Sequence, residues 1–372
     1  MLSNEVVIAK AHELGFDDVG FTTAQPFDFQ VDVLKKREEK YLPLMALGID
    51  LFAGTDPKNS LPDAKSIIVL IDNYFRQSFP RSLEGKFGRA YQDDDRMTKD
   101  GLSRRIKAFR GFLRDNAIET KIPFNLSQRL SAARSGLGNF GKNCFFYSNR
   151  VSRNSSWVLP IAVVTDHEFE PGTPTFGIGC PDWCRNACIA ACPTRAIVAP
   201  QEMDPRRCIS YLTYYGEGLT PRELREPMGM WVYGCDVCQN VCPRNRAWLA
   251  QDLAPNPQAA AHAENFDLPR LLHMDLAYYQ ARVWPHMFYM PGDQLWRWKM
   301  NVARVMGNST DQKYIDDLAR AFEENTDERI AGMCAWALGK IGGARARGFL
   351  EKARGTARGV VHREIEEALE MR

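Results

Sequence analysis

Cys180-Pro-Asp-Trp-Cys184-Arg-Asn-Ala-Cys188-Ile-Ala-Ala-Cys192-Pro193 and, further on, Cys235-Asp-Val-Cys238-Gln-Asn-Val-Cys242-Pro243 decide how this chain reads. Each run closes on a Cys-Pro junction, and Cys208 lies between them. Eight of the ten cysteines of the 372-residue chain therefore fall between 180 and 242. Clustered cysteines form either a disulfide framework in a secreted protein or a metal site in a reducing compartment. Residues 1–10 carry no basic segment followed by an apolar one, and no run approaches the roughly 20 apolar residues of a membrane span. A cytoplasmic protein whose cysteines bind metal is the expectation, with no membrane partner.

The spacing selects the metal. Two-cluster ferredoxins use C-x2-C-x2-C-x3-C-P, the fourth cysteine crossing to the other cluster. Closely spaced thiolates wrap one corner of a [4Fe–4S] cube, and the proline sends the last cysteine away. Tetrahedral zinc sites with four cysteine ligands also use paired cysteines, but two Cys-Pro junctions and three-cysteine runs point to iron–sulfur. The crossing rule groups Cys180, Cys184, Cys188 and Cys242 around one cube. Cys192, Cys208, Cys235 and Cys238 form the other set. The first run has three-residue gaps where the ferredoxin pattern has two, so either its loop is wider or one of its first three cysteines, Cys180 foremost, is not a ligand.

Outward from the cysteines, residues 1–170 mix helical and strand patterns. Val6–Leu14 and Arg104–Leu113 have helical spacing, Asp18–Thr22 reads as a short strand, and Ala64–Asp72 and Val158–Asp166 read as buried strands. That mixture predicts an α/β domain. Pro171-Gly-Thr-Pro174 marks a boundary, the cysteine segment runs over 171–252, and Ala254–Ala263 reads as a linker. Residues 265–372 are helical. Val302–Gly307 and Cys334–Gly339 share an apolar pattern ending in glycine, as stacked helix pairs of HEAT type would. Cys334 is expected in that core. Charge is near balance, a formal +2, so RNA binding has no support from bulk electrostatics and would need a local basic face.

Gly136-Leu-Gly138-Asn-Phe-Gly141-Lys142-Asn143 imitates two phosphate loops. Both need a preceding strand, whereas Gln128–Arg134 looks helical, and Asn143 stands where the P-loop has a hydroxyl. A glycine turn packed closely against something else is the expectation.

At these residues the chain resembles the epoxyqueuosine reductase family. The similar stretches are Cys192–Ile197, Arg207–Thr213, Tyr233–Cys238 and Val241–Pro243. Ser135–Gly138 with Gly141-Lys142, and Thr55–Pro57 with Leu61-Pro62 and Ala64–Ile67, extend the similarity. The resemblance implies a reductase of the epoxide of epoxyqueuosine in tRNA, acting in queuosine biosynthesis. It implies two [4Fe–4S] clusters and base-off cobalamin, in an α/β cobalamin-binding domain of the nitroreductase and reductive-dehalogenase type, with a ferredoxin-like domain and a HEAT-like helical domain. Gly136, Gly138, Gly141 and Lys142 would lie against the corrin. An external flavodoxin- or ferredoxin-type donor, tRNA as partner and a monomeric chain complete the expectation.

The chain departs from the family at its proton-handling residues. The family carries Asp-x-x-Pro-x-x-Glu ahead of the glycine motif, and its Asp is the proposed proton donor. The corresponding places are Ile122, Asn125 and Gln128, and a family histidine falls at Met97. Replacement acids are sought in Tyr91, Asp95 and Lys142, with Asp93 and Asp94 beside them. The second reading is a paralogue that reduces another substrate or passes electrons to a partner.

Overall fold

The computed structural model describes residues 2–46, 48–94 and 101–371. The described chain forms two compact units, each discontinuous in sequence. The first holds residues 1–76, 99–205 and 237–253, and the second 77–98, 206–236 and 254–372. The cysteine segment is thus shared: Cys180, Cys184, Cys188, Cys192, Cys238 and Cys242 belong to the first unit, Cys208 and Cys235 to the second.

The first unit is built on a four-stranded sheet of β1 (Asp18–Thr23), β2 (Ser66–Asp72), β3 (Thr120–Lys121) and β6 (Leu159–Thr165), in the order β1-β2-β6-β3. Every pairing in it is antiparallel. Continuous apolar runs such as Ile67–Ile71 are the usual mark of a parallel sheet, yet here the partners are antiparallel. The run is apolar because both faces are covered. Ile67, Val69 and Ile71 join one core with Ala132, Ala133, Leu137 and Phe146. Ile68 and Leu70 join another with Val7, Ala11, Phe109 and Leu113. The helices Asn4–Glu13 and Gly101–Asp115 supply the second core, and Gln128–Arg134 the first. Two short ribbons complete the unit, β4 (Gly138–Phe140) with β5 (Phe146–Ser148), and β7 (Ile197–Ala199) with β8 (Glu202–Met203).

The second unit is helix-rich. Leu295–Ser309, Ile315–Glu324, Glu328–Ile341, Gly343–Arg354 and Gly359–Leu369 enclose one core, in which Trp298, Trp336 and Cys334 are almost wholly buried. The two glycines of the repeated pattern have the same use. A Cβ on Gly307 would meet the Ala337 Cα at 2.8 Å, and one on Gly339 would meet the Ala368 Cβ at 2.6 Å. Gly307 thus lets Leu295–Ser309 approach Glu328–Ile341 closely, and Gly339 lets Glu328–Ile341 approach Gly359–Leu369. Burial pushes the Cys334 thiol up to about 12, so it is an inert core side chain. Among the described residues no helix is long and apolar enough to cross a membrane.

Candidate functional site

In the first unit the glycine motif and the cysteines meet. Gly138–Phe140 forms β4, and a bridge from Phe140 to Ile178 with the Gly179 amide donating to Phe140 O at 2.9 Å brings the start of the first cysteine run alongside. Two residues on, the Lys142 amide donates to the Cys180 sulfur at 3.3 Å. The Lys142 ammonium donates to Cys184 O at 3.3 Å and to Asn186 Oδ1 at 2.8 Å. Cys188 sits in the short helix Ala187–Ala191, entered through Asn186 in a left-handed conformation and left through Cys192. The wider spacing is therefore one helical turn with cysteines before, within and after it.

The second run is held by buried amides. Cys242 precedes the helix Pro243–Leu249, with Pro243 in its first turn, where a missing N–H costs nothing. Asn245, fully buried, accepts from the Ser156 amide at 3.0 Å and donates to Gln239 O at 2.8 Å. Asn143 donates to Cys238 O at 3.3 Å and to the Tyr147 hydroxyl at 3.0 Å. Tyr147 in turn donates to the Cys242 sulfur at 3.0 Å.

Four cysteines share one electrostatic neighbourhood. The Cys188 thiol is pushed up to about 11, first by burial and then by Cys242, Cys180 and Cys184. Burial also raises Cys242. Raised thiols such as Cys188 and Cys242 ionise when positive charge joins them, and bound iron supplies it while displacing the protons. Among the described residues no three of His, Cys, Asp and Glu converge as they would on a single ion. A cubane asks for a wider set, since each thiolate bonds a different iron atom. The donor set fits a [4Fe–4S] cluster.

The glycines are explained by protein. A Cβ on Gly138 would lie 2.0 Å from Tyr147 O, one on Gly136 2.6 Å from Thr173 O, and one on Gly141 2.5 Å from the Tyr147 ring. Gly136 also has φ +78°, a region glycine enters without strain. The phosphate-loop look is a turn packed against the strand and rings beside the cysteines.

The proposed acids are scattered. Lys142 belongs to the cysteine site. Tyr91, in the second unit, is ringed by Tyr214, Tyr233 and Tyr289, with centroids 6.2, 4.9 and 5.5 Å away. Burial foremost holds its phenol well above its ordinary range, and its hydroxyl lies 3.4 Å from that of Tyr214. Its ring is what Gly234 must accommodate, since a Cβ there would meet it at 2.4 Å. Asp93 accepts from Asn256 Nδ2 at 2.7 Å, and Asp94 is buried. Asp95 and Met97 lie outside the described residues. Cys208 precedes the helix Ile209–Tyr215, and Cys235 follows Gly234, whose amide donates to Thr213 Oγ1 at 3.0 Å.

The stretch from Ile122 to Gln128 is pinned. Gln128 Oε1 accepts from the Ala162 amide at 2.5 Å, and Nε2 donates to Pro123 O and Leu126 O at 3.3 and 3.2 Å. Asn125 donates to Asp50 O at 2.8 Å, and a Cβ on Gly54 would meet Asn125 O at 2.1 Å. Ile122 packs on the core that contains Phe109 and Leu113. Residues 53–60 and 123–126 enclose a cleft of about 100 Å³ lined by Asp56, Asn59, Ser60 and Asn125.

Comparison with known proteins matches this geometry. Residues 181–245 match a 4Fe-4S double cluster binding domain, a span that begins one residue after Cys180. The epoxyqueuosine reductase of Bacillus subtilis is 31% identical over 94% of this chain and 90% of its own length. The chain belongs to the epoxyqueuosine reductase family. It is thus an oxidoreductase by descent. A crystal structure of an epoxyqueuosine reductase with a tRNA-Tyr epoxyqueuosine-modified stem loop covers 99% of this chain and 98% of its own at 30% identity, with a TM-score of 0.82. The enzyme from Streptococcus thermophilus gives 0.79 at 25% identity, with the same coverage. The features that sequence reasoning missed are Tyr147, Asn143 and Arg244, whose guanidinium lies 4.3 Å from the Tyr147 ring centroid. Their only signal was nearness to Gly141 and Cys242, and folding decides which of them meets a sulfur.

Proposed function

We propose that this protein reduces the epoxide of epoxyqueuosine in tRNA to the alkene of queuosine. The carrying observation is the sulfur-lined site of the first unit, in a chain similar over nearly its whole length to enzymes of that activity. The reaction takes two electrons and two protons, breaks both C–O bonds of the epoxide and releases the oxygen as water. Two [4Fe–4S] clusters supply electrons one at a time from an external flavodoxin- or ferredoxin-type carrier. Cys180, Cys184, Cys188 and Cys242 hold one cluster. By their spacing alone, Cys192, Cys208, Cys235 and Cys238 hold the other. The helix-rich unit is of HEAT type, supported by the matched use of Gly307 and Gly339.

Lys142 and Tyr147 hold and polarise the cluster's sulfurs. Lys142 turns an amide to Cys180 and neutralises charge near Cys184, which shifts it from the acid of the sequence reading to a cluster neighbour. Ile122 has no proton to give, so another group is the acid.

The family resemblance implies cobalamin as well. No step is derived through that cofactor.

The test is incubation of the anaerobically reconstituted protein with epoxyqueuosine-containing tRNA and a chemical reductant. Nucleoside mass spectrometry should show loss of one oxygen atom. Unchanged epoxyqueuosine with intact clusters would favour the paralogue reading.

A further inference from the structure

Tyr147 is fully buried in β5. Its hydroxyl oxygen already receives the Asn143 amide proton at 3.0 Å, so its own proton is directed to the Cys242 sulfur at 3.0 Å. The ring is held from two directions. Gly141 has no side chain to displace it, and the Arg244 guanidinium lies 4.3 Å from its centroid. Arg244 is itself fixed by Asn139 Oδ1 at 2.7 Å, Gly179 O at 3.0 Å and Asn154 O at 3.2 Å. A hydroxyl buried this deeply, with one donor and one acceptor, has a single orientation.

An iron-bound thiolate carries more negative charge when its cluster is reduced. A hydrogen-bond donor on that sulfur therefore stabilises the reduced state more than the oxidised one, and the reduction potential rises. The nearby guanidinium acts in the same direction. We propose that the Tyr147 hydroxyl, aimed by Asn143 and braced by Arg244, raises the reduction potential of the cluster that Cys242 ligates. The proposal rests on the assignment of Cys242 as a cluster ligand. Tyr147 is a positioning residue, since it touches a ligand sulfur and not the substrate. Its effect is to make this cluster easier for an external carrier to reduce.

The test uses the full chain, reconstituted anaerobically with ferrous iron and sulfide. Iron and sulfide are counted first, then each cluster is titrated by electron paramagnetic resonance. Tyr147→Phe keeps the ring and removes the proton. The expected result is unchanged iron, with one potential lowered by roughly a factor of ten in the reduction equilibrium, about 59 mV for one electron, and the other unmoved. The exchangeable-proton coupling expected from this hydroxyl in wild type, read by comparison of H2O and D2O on the reduced cluster, should vanish. Two intact clusters with both potentials and the coupling unchanged would overturn the proposal. Where the phenylalanine variant fails to hold iron, 3,5-difluorotyrosine at position 147 replaces it. Its more acidic hydroxyl should move the same potential upward, and no movement overturns the proposal. Wild-type protein with about four iron atoms per chain in place of eight, four per cubane, defeats the ligand assignment itself, which distinguishes that failure from a silent tyrosine.

Discussion

The cysteine site and the stretch Ile122–Gln128 lie in the same unit, yet they are built on opposite terms. Around the cysteines, polar groups point at sulfur: the Lys142 amide at Cys180 and the Tyr147 hydroxyl at Cys242. Around Ile122 the polar groups point at the protein's own backbone, with Gln128 and Asn125 satisfying carbonyls and an amide of neighbouring segments. The first arrangement leaves donors for a bound group, and the second consumes them in holding a loop. The cysteine segment matches a 4Fe-4S double cluster binding domain, while residues 122–128 serve as a structural staple.

The strongest way to break this contrast is to remove a cysteine. Cys188→Ser should cost one cluster, lowering iron from about eight to about four per chain, measured by anaerobic iron analysis. Retention of all the iron would remove Cys188 from the ligand set. Next comes the turn that carries the donors. Gly138→Ala drives a Cβ to 2.0 Å from Tyr147 O, and overpacking of this kind costs about 1–3 kcal/mol. Thermal unfolding should show it, with weaker cluster retention.

Two smaller effects probe the other region. Gln128→Glu removes both donors from Pro123 O and Leu126 O. Leaving two carbonyls unpaired beside a carboxylate should cost about 1–3 kcal/mol, and amide exchange at Asn125 and Leu126 should quicken. Iron content should not change, which separates the two regions. Ile122→Ala is the mildest. Turnover should fall by far less than the roughly 10²-fold that loss of a general acid costs. A loss that large would give Ile122 a part in the reaction that its chemistry does not predict.

Some of this was legible in the sequence. Gln128–Arg134 is a helix as its pattern predicted, and the buried strands over 66–72 and 159–165 lie where β-branched runs placed them. Ile67–Ile71 could not reveal that its partners run antiparallel. A strand covered on both faces reads as continuously apolar whichever way its neighbours run. The Cys-Pro junctions declared the chemistry, but not that Gly141 and Lys142 would lie beside Cys180. That proximity comes from one bridge between Phe140 and Ile178, a long-range pairing with no local signature. Tyr91 looked available as an acid until folding closed three tyrosines around it. The division of the chain was hidden too, because each unit draws on three separated segments.

The central expectation is that the sulfur-lined site of the first unit is one of two cluster sites. Iron and acid-labile sulfide, counted together with Mössbauer spectroscopy on anaerobically reconstituted wild-type protein, test it most directly. The predicted result is about eight of each per chain, in two cubane signals. A count near four, or iron that is not in cubanes, would contradict it.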